Sequence, residues 1–478
     1  MMKKSLSIIA VFTLAFFKAG CSYAGSDSTA DVTVNIPVLD SYEGFKLQDK
    51  DGKRTDGAVN NADYIRNGNT YTVYASDNYG AEDSSGKSVA SVIKNMTKGD
   101  TLVFDGSKGI FYFRERLILN KSSVTVKGVN NAILDFSKIN PYSKEEINQA
   151  IELVKAYYKN DANQGGHYLS YVDESLRKVI LEGSVRKMSD ALGRLKGISL
   201  NSTNYVIVED LIIQNAPSAG LQIYASHNET SYVKGNYNII RNVESRFNGD
   251  SGFQISSGLK YSTDINPNYI YYTDGPHDNK FFNCYSHDNY DPWNLGENAD
   301  GFAMKGGTGD RNYFENCISE YNSDDGWDFF HIRGSCTFVN CIARYNGLNR
   351  TTKKAWAECA NGNGFKLGGG STDAEKAGNP HPQYLKGCIA YGNAGNSGVG
   401  FDRNNQYGSI YLENCWSGYN GANLLQYGKT TLRSQNYALN RSGGNDCYIL
   451  NCWASEERAA DHLGFLNGIR NTITGIKN

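Results

Sequence analysis

The chain has 478 residues, 40% hydrophobic and 21% charged, which gives enough apolar material for a core and excludes a disordered polymer. Glycine (51), asparagine (52) and tyrosine (33) are abundant and proline (8) is scarce, a turn-rich, strand-favouring composition poor in helix formers. A formal net charge of −2 argues against a nucleic-acid partner held by bulk electrostatics, though an acidic polymer could still bind a local basic patch.

At the start, Lys3 and Lys4 precede the apolar run Ser5 to Phe17, and small residues follow through Ala19-Gly20-Cys21 and Ser22-Tyr23-Ala24. This is the pattern of an export signal over residues 1–24. The run is too short for a transmembrane helix, and no other apolar stretch is long enough. Cleavage after Ala24 implies a secreted protein, and cleavage before Cys21 a lipid-anchored one, although Lys18 fits a lipidation signal poorly. The expected location is outside a Gram-negative cell, in its periplasm or anchored at its outer membrane.

Residues 25–68 carry little pattern and are expected to be a linker or irregular cap. Leu102 to Asp105, Val124 to Val126, Ile133 to Phe136 and Val206 to Ile213 read as short buried strands between Gly or Asn turns. Residues 141–196 differ. Ser143 and Glu146 form a capping box ahead of Ile147, Ile151 and Val154 on one helix face. A second amphipathic run carries Leu176, Val179, Ile180, Met188, Leu192 and Leu195, so a helical insertion is expected here.

A short pattern then recurs: Cys or Val, with Asn five residues later. It reads Val243 to Asn248, Cys284 to Asn289, Cys317 to Asn322, Cys341 to Asn346, Cys388 to Asn393 and Cys415 to Asn420. A seventh copy starts at Cys452 with Glu457 in place of Asn. Spacings of 41, 33, 24, 47, 27 and 37 residues indicate a unit near 24 with variable insertions, the mark of a solenoid. Units this short, with Asn at one turn, fit an all-β parallel β-helix whose stacked Asn side chains hydrogen-bond between coils about 4.8 Å apart. Excluding Cys21, nine cysteines remain, and their regular placement suggests buried small side chains rather than disulfides. The β-helix is expected over 69–457, followed by a C-terminal cap at 458–478.

After each Asn comes Gly, an aromatic, one further residue and usually a hydrophobe: Gly252-Phe253-Gln254-Ile255, Gly301-Phe302-Ala303-Met304, Gly326-Trp327-Asp328-Phe329, Gly364-Phe365-Lys366-Leu367 and Gly400-Phe401-Asp402-Arg403. Strand alternation points the aromatic inward and the next residue outward. The outward column is therefore Gln254, Ala303, Asp328, Lys366 and Asp402. Asp300 and Asp325 hold equivalent places before their glycines, and Asp324 and Asp328 stand beside them. Four converging carboxylates repel unless a cation holds them, and oxygen-only ligation selects a hard ion, Ca²⁺ over Zn²⁺. Asp in turns also caps loops, which is the alternative for any single member. Lys366 follows Asp328 in the column, where nearby positive charge and partial burial would favour a neutral amine.

Asp300, Asp324-Asp325, Asp328 and the Lys366 segment Gly-Asn-Gly-Phe-Lys-Leu-Gly resemble the calcium pocket and catalytic lysine of polysaccharide lyase family 9. The resemblance runs from about Thr70 to Glu457 and includes Lys98-Gly99-Asp100-Thr101, which looks like a first coil. It implies a right-handed parallel β-helix, and calcium-assisted β-elimination on a 4-linked galacturonate polymer with Lys366 as base. Arg403, at an inward position, and Lys305, His331 and Arg333 are candidates for holding polymer carboxylates. Tyr290, Trp293 and Trp356 could stack on sugars or simply pack. The expected partner is a pectic galacturonan acted on by a monomer, with rhamnogalacturonan the alternative substrate. A β-helix glycoside hydrolase would need neither the base lysine nor calcium, and a carbohydrate-binding solenoid neither of them nor any catalysis.

Overall fold

The computed structural model describes residues 64–454 except 65, 162–177, 179–182, 226–234, 258–274, 331, 333, 355–359, 370–380, 396–397, 405, 407, 422–435 and 440–446, together with Ile473–Thr474. The expected export signal, residues 25–63 and most of 458–478 lie outside the described residues.

The described strands form three sheets of 13, 10 and 9 strands, each strand pairing with its counterparts one coil before and one coil after. Pairing is parallel except at the N-terminal end, where Thr70–Ser76 runs antiparallel to Gly80–Asp83. The chain is thus a parallel β-helix, each full coil contributing one short strand to each sheet. Ile473–Thr474 adds a strand beside Cys447–Leu450, so the first sheet reaches into the expected C-terminal cap. The run Val206 to Ile213 is split into Ile207–Glu209 and Ile212–Gln214 by Asp210, whose φ of 58° turns the chain from one sheet to the next.

The same corner recurs at Asn242, Asn283, Asn316, Asn340, Asn414 and Asn451, all with φ between 50° and 54°. Asn tolerates this left-handed conformation better than most side chains, and the signal stood in the sequence as five Asn-Cys pairs and Asn242-Val243. Cys284, Cys317, Cys341, Cys415 and Cys452 follow these corners and Cys388 follows the equivalent Gly387 (φ 63°); all six point into the core and are free thiols.

Inside the nine-stranded sheet the repeat aromatics stack coil on coil. Phe253, Phe302, Trp327, Phe365, Phe401 and Tyr437 have successive centroid separations of 4.9, 4.7, 4.7, 5.0 and 5.3 Å. Each such pair contributes about 0.5–1.5 kcal/mol beyond its buried area. At the adjoining turn the expected Asn ladder is continuous: Asn248, Asn289, Asn322, Asn346, Asn393 and Asn420 each donate Nδ2–H to the next Oδ1 at 2.6–3.1 Å, ending on Asn436. A second ladder, Asn238 to Asn279 to Asn312, runs before the first sheet with 3.0 Å bonds and was not anticipated. The ladder leaves no room behind the repeat glycines. A Cβ at Gly252 would lie 2.0 Å from Ser286 Oγ.

The insertion contains the helices Lys144–Asp161 and Ser184–Leu192. Its capping box is reciprocal, Ser143 N–H donating to Glu146 Oε2 (2.8 Å) and Glu146 N–H to Ser143 Oγ (3.2 Å). Ala150 and Val154 of the first helix meet Val185, Met188 and Leu192 of the second in a separate small core, with Trp293 and Leu295 of a solenoid loop packed against it. Leu176, Val179 and Ile180 lie outside the described residues.

Candidate active site

The site is set by strand register on the nine-stranded sheet. Gln222, Gln254, Ala303, Asp328, Lys366 and Asp402 are Cα partners in succession, so the outward column stands as the alternation requires. Asp328 lies on Trp327–Phe330 and Lys366 on Phe365–Lys366, both pinned by the aromatics beneath them. Asp300 and Asp325 sit just before their strands, in the turn that follows the Asn ladder.

Asp300, Asp324, Asp325 and Asp328 are all buried, at 0–3% exposure. Asp300 Oδ1 accepts from the Asp325 N–H (3.2 Å) and Asp325 Oδ1 from the Asn363 N–H (2.8 Å). Each thereby ties its coil to the next with one oxygen and turns the other into a common pocket. Asp324 is engaged on both sides, Oδ2 by the Asn298 N–H (2.9 Å) and Oδ1 by the Asn361 N–H (2.7 Å). Carboxylate oxygens of Asp300, Asp325 and Asp328 lie within 4.8 Å of one another.

Two lysines face this pocket. Lys366 Nζ is 2.9 Å from Asp325 Oδ2 and 3.4 Å from Asp328 Oδ1. Lys305 Nζ is 2.9 Å from Asp300 Oδ2 and also contacts Asp328 Oδ2. Asp300 Oδ2, Asp325 Oδ2 and Asp328 Oδ1 are buried and face only these ammonium groups, while Asp328 Oδ2 accepts a hydrogen bond from Lys305. Three buried carboxylate oxygens within 4.8 Å of one another suit a hard cation, since Ca²⁺ takes oxygen ligands at about 2.3–2.6 Å. The charge count agrees: four carboxylates against two ammonium groups leave two negative charges, which one divalent ion balances.

Electrostatics points the same way. Burial pushes Asp300 well above the usual carboxylate range; Lys305 opposes this and the other three acids add to it. Asp325 is likewise raised well above, by burial and then by Asp324. Burial acts to raise Asp328 too, but Lys305 and Lys366 outweigh it and hold that acid down. For Lys366 burial favours the neutral amine, yet Asp325 and Asp328 prevail and hold it well above the ordinary lysine value.

Of the other candidates, Lys305 joins the acidic pocket directly, as a partner of Asp300 and Asp328. Arg403 does not reach it. Its side chain turns into the coil at 1% exposure, donating to the carbonyls of Gln406 (2.7 Å), Gly408 (3.1 Å) and Leu439 (3.4 Å). Its inward position thus has a structural use, the capping of core carbonyls. His331, Arg333 and Trp356 lie outside the described residues. Gln222 was not singled out, although it continues the column one coil earlier and donates to Gln254 Oε1 (2.7 Å). Its signal was Gly220-Leu221-Gln222-Ile223, the same repeat with Leu in the aromatic place.

Fold and site together define a parallel β-helix with an acidic, lysine-flanked pocket on one sheet. A family model described as Pel9A-like, right-handed beta helix region matches residues 69–437, and the chain belongs to this family. It is 31% identical over 306 residues to pectate lyase L of Paenibacillus polymyxa, covering 61% of each chain. To pectate lyase L of Dickeya chrysanthemi it is 32% identical over 204 residues, 43% of this chain and 41% of that one. The chain thus spans about three fifths or less of the length of these relatives. Among solved structures, one titled as the crystal structure of pectate lyase Pel9A matches 87% of this chain and 80% of its own, with TM-score 0.51 and 19% identity. Another, titled rhamnogalacturonan lyase, matches 82% and 83%, with TM-score 0.52 and 18% identity. Both are similar in fold.

Proposed function

We propose that the protein is a polysaccharide lyase that cleaves a 4-linked galacturonate polymer by β-elimination, with Lys366 as the base. The observation that carries this reading is the pocket in which buried carboxylate oxygens of Asp300, Asp325 and Asp328 converge next to the Lys366 amine. Asp300, Asp325 and Asp328, with Asp324 as the fourth acid, are the residues that would hold Ca²⁺. Bound there, the ion supplies positive charge that binds the sugar carboxylate and makes the C5 proton more acidic.

Lys366 is carried on a rigid strand, so its Nζ meets the substrate without a search for position. A base must first lose its own proton, and Asp325 and Asp328 resist that loss. Positive charge other than that of Lys366 has to offset them, and Lys305, already paired to Asp300 and Asp328, supplies part of it. Neutral Lys366 then takes the C5 proton, the C4–C5 double bond forms, and the glycosidic oxygen at C4 leaves with the electron pair. No water is consumed, unlike hydrolysis.

In this reading the chain works as an exported monomer, processed after Ala24 or anchored through Cys21. No helix among the described residues is long and apolar enough to cross a membrane. The deciding experiment incubates the protein with polygalacturonate and calcium and follows ultraviolet absorbance of the unsaturated product. Reducing ends without that absorbance would mean a hydrolase, and neither signal a binding protein.

A further inference from the structure

Two residues past Asp328 on the same strand stands Phe330, which the repeat pattern did not single out. Phe329 between them is fully buried, whereas Phe330 is 38% exposed on the outward face that it shares with Asp328. Its register partner one coil earlier is Lys305, whose Nζ lies 6.0 Å from the centre of the ring. From Ser256 onward this second outward column reads Ser256, Lys305, Phe330, Gly368 and Asn404 in successive coils. The other four are small or polar, and Phe330 alone carries a ring.

A single exposed apolar side chain needs no explanation on an ordinary surface. This one stands at the edge of a cluster of buried ions, beside the lysine that pairs with Asp300 and Asp328. Two glycines keep bulk away from it. Gly368 holds the facing position in the coil of Lys366 and has no side chain to cover the ring. A Cβ on Gly369 would lie 3.3 Å from Phe330 Cδ2, tighter than ordinary contact. Phe330 is one coil before Lys366 and two residues beyond it. With coils about 4.8 Å apart and about 3.3 Å per strand residue, their Cα atoms are about 8 Å apart. One pyranose and its linkage cover that distance.

The chemistry of the ring selects what it meets. A pyranose presents a face of C–H groups, and a neutral aromatic ring packs on such a face without calling for a charge or a hydrogen bond. We propose that Phe330 is the stacking platform for the sugar unit next to the one whose carboxylate sits at the acidic pocket. It sets the polymer's register on the sheet, so that C5 of the reacting unit comes to rest beside Lys366. This rests on the lyase reading above.

The test compares wild type with Phe330→Ala, Phe330→Leu and Phe330→Tyr on polygalacturonate with calcium. The first two remove the flat face and should lower kcat/KM at least about tenfold, mostly through KM. Phe330→Tyr keeps the face and should stay within about threefold of wild type. Calcium should raise the melting temperature of Phe330→Ala as much as that of wild type, because the ring offers no ligand atom. Wild-type kcat/KM in Phe330→Ala or Phe330→Leu would overturn the platform, as would a tyrosine variant no better than alanine. A lost calcium shift in Phe330→Ala would overturn it too, since the ring would then merely shield Lys305 and the acids. If wild type yields no unsaturated product, the lyase reading fails, and calorimetry with trigalacturonate decides the platform alone. Weaker binding by Phe330→Ala than by wild type would keep it, and equal or undetectable binding by both would end it.

Discussion

Two buried polar columns run up the same turn of this solenoid, a few residues apart, and they are built on opposite terms. In the Asn ladder every Oδ1 from Asn289 to Asn436 accepts from the previous Nδ2, and the Asn248, Asn322, Asn346 and Asn393 backbone N–H groups donate to the next Oδ1 as well. Beside it, Asp300, Asp325 and Asp328 keep one buried oxygen each that faces only a lysine ammonium group. A hydrogen-bonded neutral network rigidifies a fold, whereas converging buried carboxylates carry a desolvation cost that folding alone does not explain. The ladder is scaffold and the acidic column is the working part. The difference teaches where to look for function in a repeat protein: at the coils where buried charge gathers beside a neutral polar column.

The sharpest way to break the comparison is Lys366→Ala. It should lose at least about a thousandfold in rate while folding normally, because Phe365 and Leu367 keep the inward packing. Lys366→Arg should be nearly as inactive, since a guanidinium stays protonated. Activity of the wild type should rise with pH as the amine deprotonates, the carboxylates holding its pKa up. A rate above about a tenth of wild type in the alanine variant would place the base elsewhere.

Next in size is calcium. At about a hundred times its Kd, Ca²⁺ should raise wild-type stability by about 2.7 kcal/mol, measured by thermal melts with and without chelator. Asp325→Asn keeps the Oδ1 that caps Asn363 yet should lose most of that gain and most activity. A full calcium shift in this variant would remove Asp325 from the ligand set.

The ladder should respond in the opposite sense. Asn346→Ala removes the Oδ1 that accepts from the Asn322 N–H and Nδ2 and the Nδ2 that donates to Asn393 Oδ1, and should cost about 1–3 kcal/mol of stability. At a temperature well below its melting point its kcat should match wild type. A large kcat loss with unchanged melting would reverse the assignment of scaffold and working part.

The mildest test uses Asp291, one coil before Asp324 in the same turn. Its oxygens accept from the Trp293 N–H (2.8 Å) and Asn294 Nδ2 (2.7 Å). Burial, and then the charge of Asp250, push it up to about 7. A raised acid contributes stability below its unfolded pKa near 4 and loses it as pH rises through the folded value. Between about pH 4 and 7 this group should lower stability by at most about 1.4 kcal/mol per pH unit. Asp291→Asn should flatten that slope in denaturant titrations at stepped pH.

The coil repeat, the Asn ladder, the free cysteines and the outward column of Asp328 and Lys366 were legible in the sequence. Each follows from a property of a few consecutive residues: two-residue alternation in a strand, and one Asn five residues after one Cys. Repetition then carries that local rule up the axis, whatever the length of the insertions between coils. Tertiary structure alone decided the rest. Arg403 and Lys305 both stood out as charges next to the repeat, yet Arg403 caps carbonyls within the coil while Lys305 bridges Asp300 and Asp328. Which oxygen each Asp turns into the pocket depends on amides as far away as Asn363. The small core beneath Trp293 exists because the insertion folds against a loop more than a hundred residues later in the chain. Backbone alternation is local and can be read from spacing. Side-chain torsions and the packing of distant segments depend on contacts that form only when the coils stack.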